Sequence, residues 1–562
     1  MAGENDVLEG GKVESVVEAE GVGERKYITG WRLHVLTFGI ALSLFLSTLE
    51  TTIVSTSLIS ITNALNGFDQ GSWVVTSYML TYTGFLIIYA KFSDIFGRKP
   101  MVLVALLIFT VLSIVCGASQ NMLQLHVHVS HIFVDKADRS SIVFRAFQGL
   151  GGSGIYAMSM VITPDMIPPE KFGLYMGIIS SVFALSSVLG PVLGGVINDR
   201  TTWRWVFLLN APAGSGALAL VALILPSNFP HPKLPKRRGF GKVFSKSAFR
   251  RLDWRGTGLS LAASVLLVYA LQQAGTDFNW NSAKVITTLA ISVICWIGFV
   301  LWERVIEKHA GGIQEPIFPW RVAKNRAAAG VFLSAFFTGF PFLGAIINLP
   351  QRFQIVNGTS ATGAGIRLFP MVLTAPLASW FSAVLISVVK IPAFYVLVTA
   401  CSLQVVGLSL MGTLPTDTMA VSNAQYGYEV IMGMGFGLAI TTAIIMVRIV
   451  VDAKDQAVVM GAITQIRVLG GTVGLAISAT LLSNRVKTRL PEFLNPQELA
   501  GLLRSSQALK TFDPEIRDRV RLVYAEAYNQ QMILLTGFAA ASLLSLGLSF
   551  EKKARNLDMA KL

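Results

Sequence analysis

Fourteen apolar runs follow one another along the chain, and this succession constrains its fold more than any other feature. They lie near 33-56, 73-90, 101-119, 142-163, 173-197, 202-224, 256-274 and 284-302, then near 327-350, 363-388, 391-412, 425-447, 456-483 and 529-549. Each is bounded by charge, proline or glycine clusters. A hydrocarbon core about 30 Å thick needs about 20 apolar residues per helix. Only 14% of the 562 residues are charged, against about 25% in a soluble globular protein, which excludes an ordinary cytosolic enzyme. The expectation is an all-α polytopic membrane protein with 14 transmembrane helices.

An even number of spans puts both termini on one side. With the N-terminus inside, the cytoplasmic segments carry 29 Lys and Arg and the others 14, eight of these in one long segment, 484-528. The positive-inside rule discounts long loops, so both termini are expected in the cytoplasm. The net charge of +14 is therefore topological: basic residues are spread over connecting segments and do not coat one soluble face, and nucleic acid is not an expected partner. Residues 1-32 have no cleavable signal pattern and read as a disordered cytoplasmic tail. Cys116, Cys295 and Cys401 fall inside apolar runs, so no disulfide framework and no metal site are expected.

The segment 225-255 holds Lys233, Lys236, Arg237, Arg238, Lys242, Lys246, Arg250, Arg251 and Arg255 against one acid, Asp253. It reads as a solvated basic cytoplasmic linker, with lipid-headgroup contact as the alternative. A constant offset marks an internal repeat: Gly149, Gly151, Gly177 and Gly190 recur 284 residues later as Gly433, Gly435, Gly461 and Gly474. The expected organisation is a six-helix half over 33-224, the linker, two extra transmembrane helices over 256-302, a cytoplasmic loop over 303-326, a second six-helix half over 327-549 and a tail over 550-562. One segment does not fit. Residues 126-141 are polar and aperiodic, and codons compatible with splice sites at Val129-Ser130 and Ala137-Asp138-Arg139 suggest an unspliced intron translated in frame. His126, His128 and His131 within it lack acidic or thiol neighbours at ligand spacing.

Four motifs carry chemistry. Ala90-Lys91-Phe92-Ser93-Asp94-Ile95-Phe96-Gly97-Arg98-Lys99 sets a carboxylate and cations at a tight reversal after span two, where Gly97 permits the turn. It resembles the G-x-L-a-D-r-x-G-r-k signature of the major facilitator superfamily, with Ala90, Phe92 and Ile95 departing from it. Phe144-Arg145-Ala146-Phe147-Gln148-Gly149-Leu150-Gly151 resembles the R-x-x-Q-G-x-G motif of that superfamily. Arg145 lies within a membrane segment, where a cation costs about 2.5-3.5 kcal/mol and usually faces a wet cavity or a partner; a snorkelling arginine is the plainer reading. Gly190-Pro191-Val192-Leu193-Gly194-Gly195 is similar to the antiporter motif G-P-x-x-G-G, although small-residue helix packing accounts for the same residues. Leu49-Glu50-Thr51-Thr52-Ile53-Val54 resembles the L-D-x-T-I-V segment of fourteen-helix drug:proton antiporters, with Glu50 in place of Asp.

The resemblance implies a major facilitator fold of two pseudo-symmetric six-helix halves plus the extra pair, in the fungal form of the drug:proton antiporter branch. It implies proton-coupled efflux of amphipathic organic compounds (drugs, toxins or secondary metabolites) by alternating access. Glu50, Arg145, Gln148, Glu429 and Arg467 are the candidate proton-coupling residues. Asp94, Gly97, Arg98 and Lys99 would form a cytoplasmic gate, and Gly190, Pro191, Gly194 and Gly195 the antiporter motif. A carboxylate at depth is costly when ionised, which suits a reversible proton carrier, while permanent pairing of Glu50 with a buried arginine is the alternative. Gln465-Ile466-Arg467 and Gly470-Gly471 resemble a shortened Q-x-x-R-x-x-G-G pattern. Arg467 would line the cavity or neutralise Glu50 or Glu429. Glu429, 284 residues after Arg145, would pair across the pseudo-twofold or sit at a helix mouth.

Asn357-Gly358-Thr359 is a glycosylation sequon, but it abuts span nine, which weighs against its use. No G-x-x-x-x-G-K-[ST] loop occurs, so the expected drive is the proton gradient, with no cofactor. The expected partners are a small-molecule substrate, protons and the lipid bilayer, the chain being a monomer in the plasma membrane or the vacuolar membrane. A solute uptake or exchange carrier (siderophore or vacuolar amino acid) and a transport-inactive membrane sensor are the competing functions.

Overall fold

The computed structural model describes residues 27-552 apart from 65-70, 120-140, 169-170, 228, 230-249, 275-277, 309-313, 315, 360, 417, 419, 453-454, 505-508 and 510-511. The histidine-bearing segment 126-140, most of the basic linker, and residues 1-26 and 553-562 of the tails lie outside the described residues.

Within lipid, backbone N–H and C=O groups must be satisfied locally, so apolar runs become helices. The first half comprises α1 (Trp31–Ala64), α2 (Gly71–Phe96), α3 (Arg98–Ala118), α4 (Ser141–Met166), α5 (Phe172–Arg200), and α6 (Arg204–Leu208) continuing into α7 (Asn210–Ile224). The extra pair is α8 (Trp254–Gln273) and α9 (Ala283–Lys308). Short α10 (Trp320–Lys324) leads to α11 (Arg326–Ile355), α12 (Ala361–Arg367), α13 (Phe369–Ser387), α14 (Ala393–Gly412), α15 (Asn423–Val450), α16 (Gln456–Arg489), α17 (Pro496–Arg504) and α18 (Pro514–Ser545). Among the described residues, 11 helices are long and apolar enough to cross a membrane. The other three expected spans fall on α2, α4 and α5, which are helical but are not among those 11.

The two halves repeat one packing pattern. In the first, α1 packs on α5, α2 on α4, and α3 on α4; in the second, α11 packs on α16, α13 on α15, and α14 on α15. The repeated glycines sit where this pattern demands close approach. A Cβ on Gly151 would fall 2.9 Å from the Phe109 Cα on α3, and one on Gly435 would fall 2.9 Å from the Gln404 amide on α14. At the interface between halves, a Cβ on Gly177 of α5 would lie 3.2 Å from Ala383 Cβ of α13, and one on Gly461 of α16 would lie 3.0 Å from Ala90 Cβ of α2. These are twofold-related contacts, at the end of the bundle that bears Arg98 and Lys99, called here the basic end.

The extra pair docks through α8 on α2 and α16. Gly84 admits Leu261 and Val265 of α8, and Gln465 of α16 donates from Nε2 to Ser264 Oγ at 2.9 Å. Asp253, the one acid of the basic linker, caps α8 by accepting from the Gly256 amide at 3.0 Å and accepts from Trp302 Nε1 of α9 at 2.9 Å. The outer helix α9 exposes Ile286, Ile291, Val293, Ile294, Ile297, Val300 and Leu301, as a lipid-facing helix must.

The long segment 484-528, expected as a loop, is largely helical where described. The α16 and α18 helices project past the membrane-sized part of the bundle and, with α17, bury Val486, Leu490, Leu494, Leu502, Val520, Val523 and Tyr528 beside Val356. Its apolar residues had a local core to fill.

Candidate transport and coupling site

The first half buries a connected set of polar side chains towards the end of the bundle opposite the basic end. Glu50 on α1 and Arg145 on α4 form an ion pair, Nη1 to Oε1 2.5 Å, with side chains 1% and 3% exposed. The other carboxylate oxygen accepts from Asn210 Nδ2 at the start of α7, 2.7 Å. Arg145 also donates to Gln148 Oε1 at 2.6 Å and from Nε to the Val74 carbonyl at 3.0 Å. Gln148 in turn donates to Ser113 Oγ of α3 at 2.7 Å. Five elements therefore meet around one charge pair. Arg145 is no snorkelling residue, since its guanidinium ends on protein groups and rests over the Tyr78 ring, 4.7 Å from the centroid.

From there an aromatic ladder runs to the second half. Tyr78 stacks on Tyr82 with centroids 5.6 Å apart, Tyr82 meets Tyr156 edge-on at 6.4 Å, and Tyr156 Oη accepts from Arg467 Nη2 of α16 at 2.7 Å. Tyr78, Tyr82 and Tyr156 are all buried. The motif residue beside Arg467, Gln465, accepts from the Ile87 amide of α2 at 3.3 Å while donating to α8.

Glu429 stands apart. It is fully buried on α15, which removes the reading of a surface residue at a helix mouth, and Arg145 pairs with Glu50 and not with it. Its Oε1 accepts from Gln425 at 3.4 Å, and among the described residues its Oε2 has no hydrogen-bond partner.

At the basic end, Gly97 adopts φ +100°, a conformation side chains resist, and turns α2 into α3. Arg98 then bonds Asp94 Oδ1 at 2.5 Å, Ser93 Oγ at 2.6 Å and Asp165 Oδ2 of α4 at 3.1 Å. Lys99 Nζ donates to the carbonyls of Ala222 and Leu225, each at 2.6 Å, at the end of α7, where a cation is favoured by the helix dipole. All these partners belong to the first half.

In the glycine motif, a Cβ on Gly190 would meet Thr52 Oγ1 and lie 3.0 Å from the Ile53 amide of α1. The Gly194 carbonyl accepts from Asn198, which also donates to Ser57 Oγ at 2.7 Å. Pro191 lies within α5, and Gly195 faces Thr362 of α12. Asn357 is half-buried just after α11, and Thr359 Oγ1 of its sequon donates to the Phe353 carbonyl at 2.9 Å.

The family model for the Major Facilitator Superfamily matches residues 40–475. The chain belongs to the major facilitator superfamily. Members of this superfamily are transporters of small molecules and not enzymes, and this one is an integral membrane transporter. It is 49% identical over 532 residues to the MFS-type transporter FPY5 of Fusarium mangiferae, covering 95% of this chain and 86% of that one. It is 28% identical to the MFS-type efflux pump MFS1 of Arthroderma benhamiae, covering 98% and 97%. Among solved structures, a bacterial homologue of the human lysosomal transporter Spinster, inward-facing and unoccupied, shares the fold with TM-score 0.54 and 13% identity over 94% of this chain and 100% of that one.

Sequence reasoning missed Asn210, Ser113, Tyr78, Tyr82 and Tyr156. Each is a common residue in a membrane helix with no motif around it. The one available signal was the spacing of Tyr78 and Tyr82, which puts both rings on one face of a helix.

Proposed function

We propose that the protein exports amphipathic organic compounds across the plasma membrane in exchange for protons, with both termini and the basic end in the cytoplasm. The observation that carries this reading is the sealed Glu50–Arg145 pair with its ring of Asn210, Gln148 and Ser113. When a proton reaches Glu50, the attraction to Arg145 falls away and the guanidinium is left to Gln148 and the Val74 carbonyl. Removing one partner of a buried pair is worth about 3-5 kcal/mol, enough to bias the packing of α1 against α4. The tyrosine ladder from Tyr78 to Tyr156 offers a path by which that change reaches Arg467 in the second half, so that the halves rock and expose the cavity alternately. The electrical part of the gradient supplies roughly 2.3 kcal/mol per charge per 100 mV.

Further support comes from similar proteins, which carry the names efflux pump dotC in Dothistroma septosporum and multidrug resistance protein 3 in Bacillus subtilis. In this scheme Asp94, Arg98 and Lys99 brace the cytoplasmic end of the first half as it moves, and the Gly190 to Gly195 segment lets α5 stay close to α1. Glu429 is a second candidate proton site, because among the described residues its Oε2 lacks a partner.

Inside-out vesicles given an imposed pH step test the proposal. The wild type is expected to accumulate a lipophilic dye while releasing lumenal protons. Glu50→Gln is expected to lose proton-driven flux and Glu50→Asp to keep part of it, at matched amounts of protein. Full flux in Glu50→Gln would refute the coupling role, and flux only in the opposite direction would favour the uptake carrier.

A further inference from the structure

An open pocket of about 520 Å³, lined by none of the Glu50–Arg145 set, lies at the end of the bundle opposite the basic end. It is lined by Trp280 from the tip of the extra pair, by Gln530 of α18 and by one long face of α16. That face is graded. Ile477 and Leu481 are followed at four-residue steps by Arg485 and Arg489, with Thr480, Asn484 and Thr488 alongside. At 1.5 Å per residue the stripe from Ile477 to Arg489 is about 18 Å long, apolar at depth and cationic at its outer end.

Trp280 Nε1 donates to Thr480 Oγ1 at 2.8 Å, which fixes the indole as a wall of the pocket. Among the described residues, the charged side chains in the lining are the two arginines. Their carboxylate partners lie outside it: Glu526 is 2.6 Å from Arg485 Nη2, and Glu492 is 3.6 Å from Arg489 Nη1. Arg485 Nε is buried and, among the described residues, has no hydrogen-bond partner. A donor in that position is costly to leave unmet.

We propose that this pocket is a vestibule for an amphipathic compound bearing an acid group, its acid pairing with Arg485 and Arg489 and its apolar body lying along Trp280, Ile477 and Leu481. The occupant is the exported compound, a reading that rests on the outward orientation given under the proposed function. Anionic phospholipids are concentrated in the cytoplasmic leaflet, so on the outer side few lipid headgroups compete for two arginines. The extra pair then has a role of its own: α8 docks on α2 and α16, and Trp280, ahead of α9, forms one wall of an outer binding site.

The test uses the full chain in phosphatidylcholine nanodiscs, with a pyrene-tagged dodecanoate as probe and binding read as energy transfer from tryptophan to pyrene. Trp280→Phe is expected to remove most of the transfer at saturation. The carboxylate is expected to bind about ten-fold tighter than the matching alcohol, the factor that one charge-assisted hydrogen bond supplies. Arg489→Gln, at an exposed side chain, and Arg485→Gln should each erase most of that preference, and Leu481→Trp should weaken both probes by filling the floor. Equal affinities for acid and alcohol, or a preference intact in both arginine variants, overturns the proposal. Loss of probe affinity in nanodiscs that include phosphatidylglycerol would assign the pocket to a lipid headgroup and likewise overturn it. Binding here and proton-driven flux in the Glu50→Gln chain are separate readouts, so failure of one is told apart from failure of the other.

Discussion

Asn210 does for Glu50 what no motif residue does. It occupies the second carboxylate oxygen, so that Arg145 satisfies only one. The pair is consequently sensitive to which partner is removed. Arg145→Ala leaves a carboxylate with one neutral donor in a buried site and is expected to cost about 3-5 kcal/mol, read as loss of monodisperse protein in size-exclusion chromatography. The double variant Glu50→Gln/Arg145→Gln keeps the shape and hydrogen bonds without charge and is expected to recover most of the folded fraction. Equal loss in both would mean that the charges do not stabilise each other. The carboxylate at 50 and the arginine at 145 were legible as costly residues in apolar runs. Asn210 was not, since it sits 160 residues from Glu50 at the start of an ordinary helix.

Between elements, close approach is the governing quantity. The α5 helix lies against α1 because Gly190 has no Cβ to meet Thr52. Gly190→Ala is expected to cost about 1-3 kcal/mol as an overpacked contact, with Thr52→Ala restoring part of it, measured as the midpoint of thermal unfolding in detergent. Gln465 joins α16 to the α2 backbone and to α8 by two hydrogen bonds. Gln465→Leu should loosen the extra pair, seen as faster amide exchange over 254-273 with no change over 31-54. Unaltered exchange there would mean that Gly84 and its apolar neighbours alone hold α8. The existence of these helices was readable from apolar run length. Their extent was not: α16 and α18 run on into 484-528 because α17 and Val356 give their outer ends something to pack on.

Across the whole molecule, the two halves meet through twofold-related pairs at the basic end, Gly461 with Ala90 and Gly177 with Ala383. With Cys116, Cys295 and Cys401 replaced by alanine, cysteines at 90 and 461, or at 177 and 383, are within the Cβ separation that a disulfide needs after a small shift. Oxidation is expected to cross-link each pair and to stop transport, and a reductant to restore it. Transport that persists in the fully cross-linked protein would contradict rocking at this seam. The basic linker offered no hint of these contacts, although the 284-residue glycine repeat did mark the positions where they occur.

Run length, charge shortage and four short motifs were sufficient in the sequence alone to specify a helical membrane protein of the major facilitator type, because the bilayer imposes helix, length and end charge locally on each segment. The three-dimensional fold decided which polar groups meet. Glu50 with Arg145 and Asn210, Arg467 with Tyr156, and the arginine-lined pocket under Trp280 each join residues more than ninety positions apart. Their contacts depend on helix rotation and crossing, which side-chain packing fixes and hydropathy does not encode.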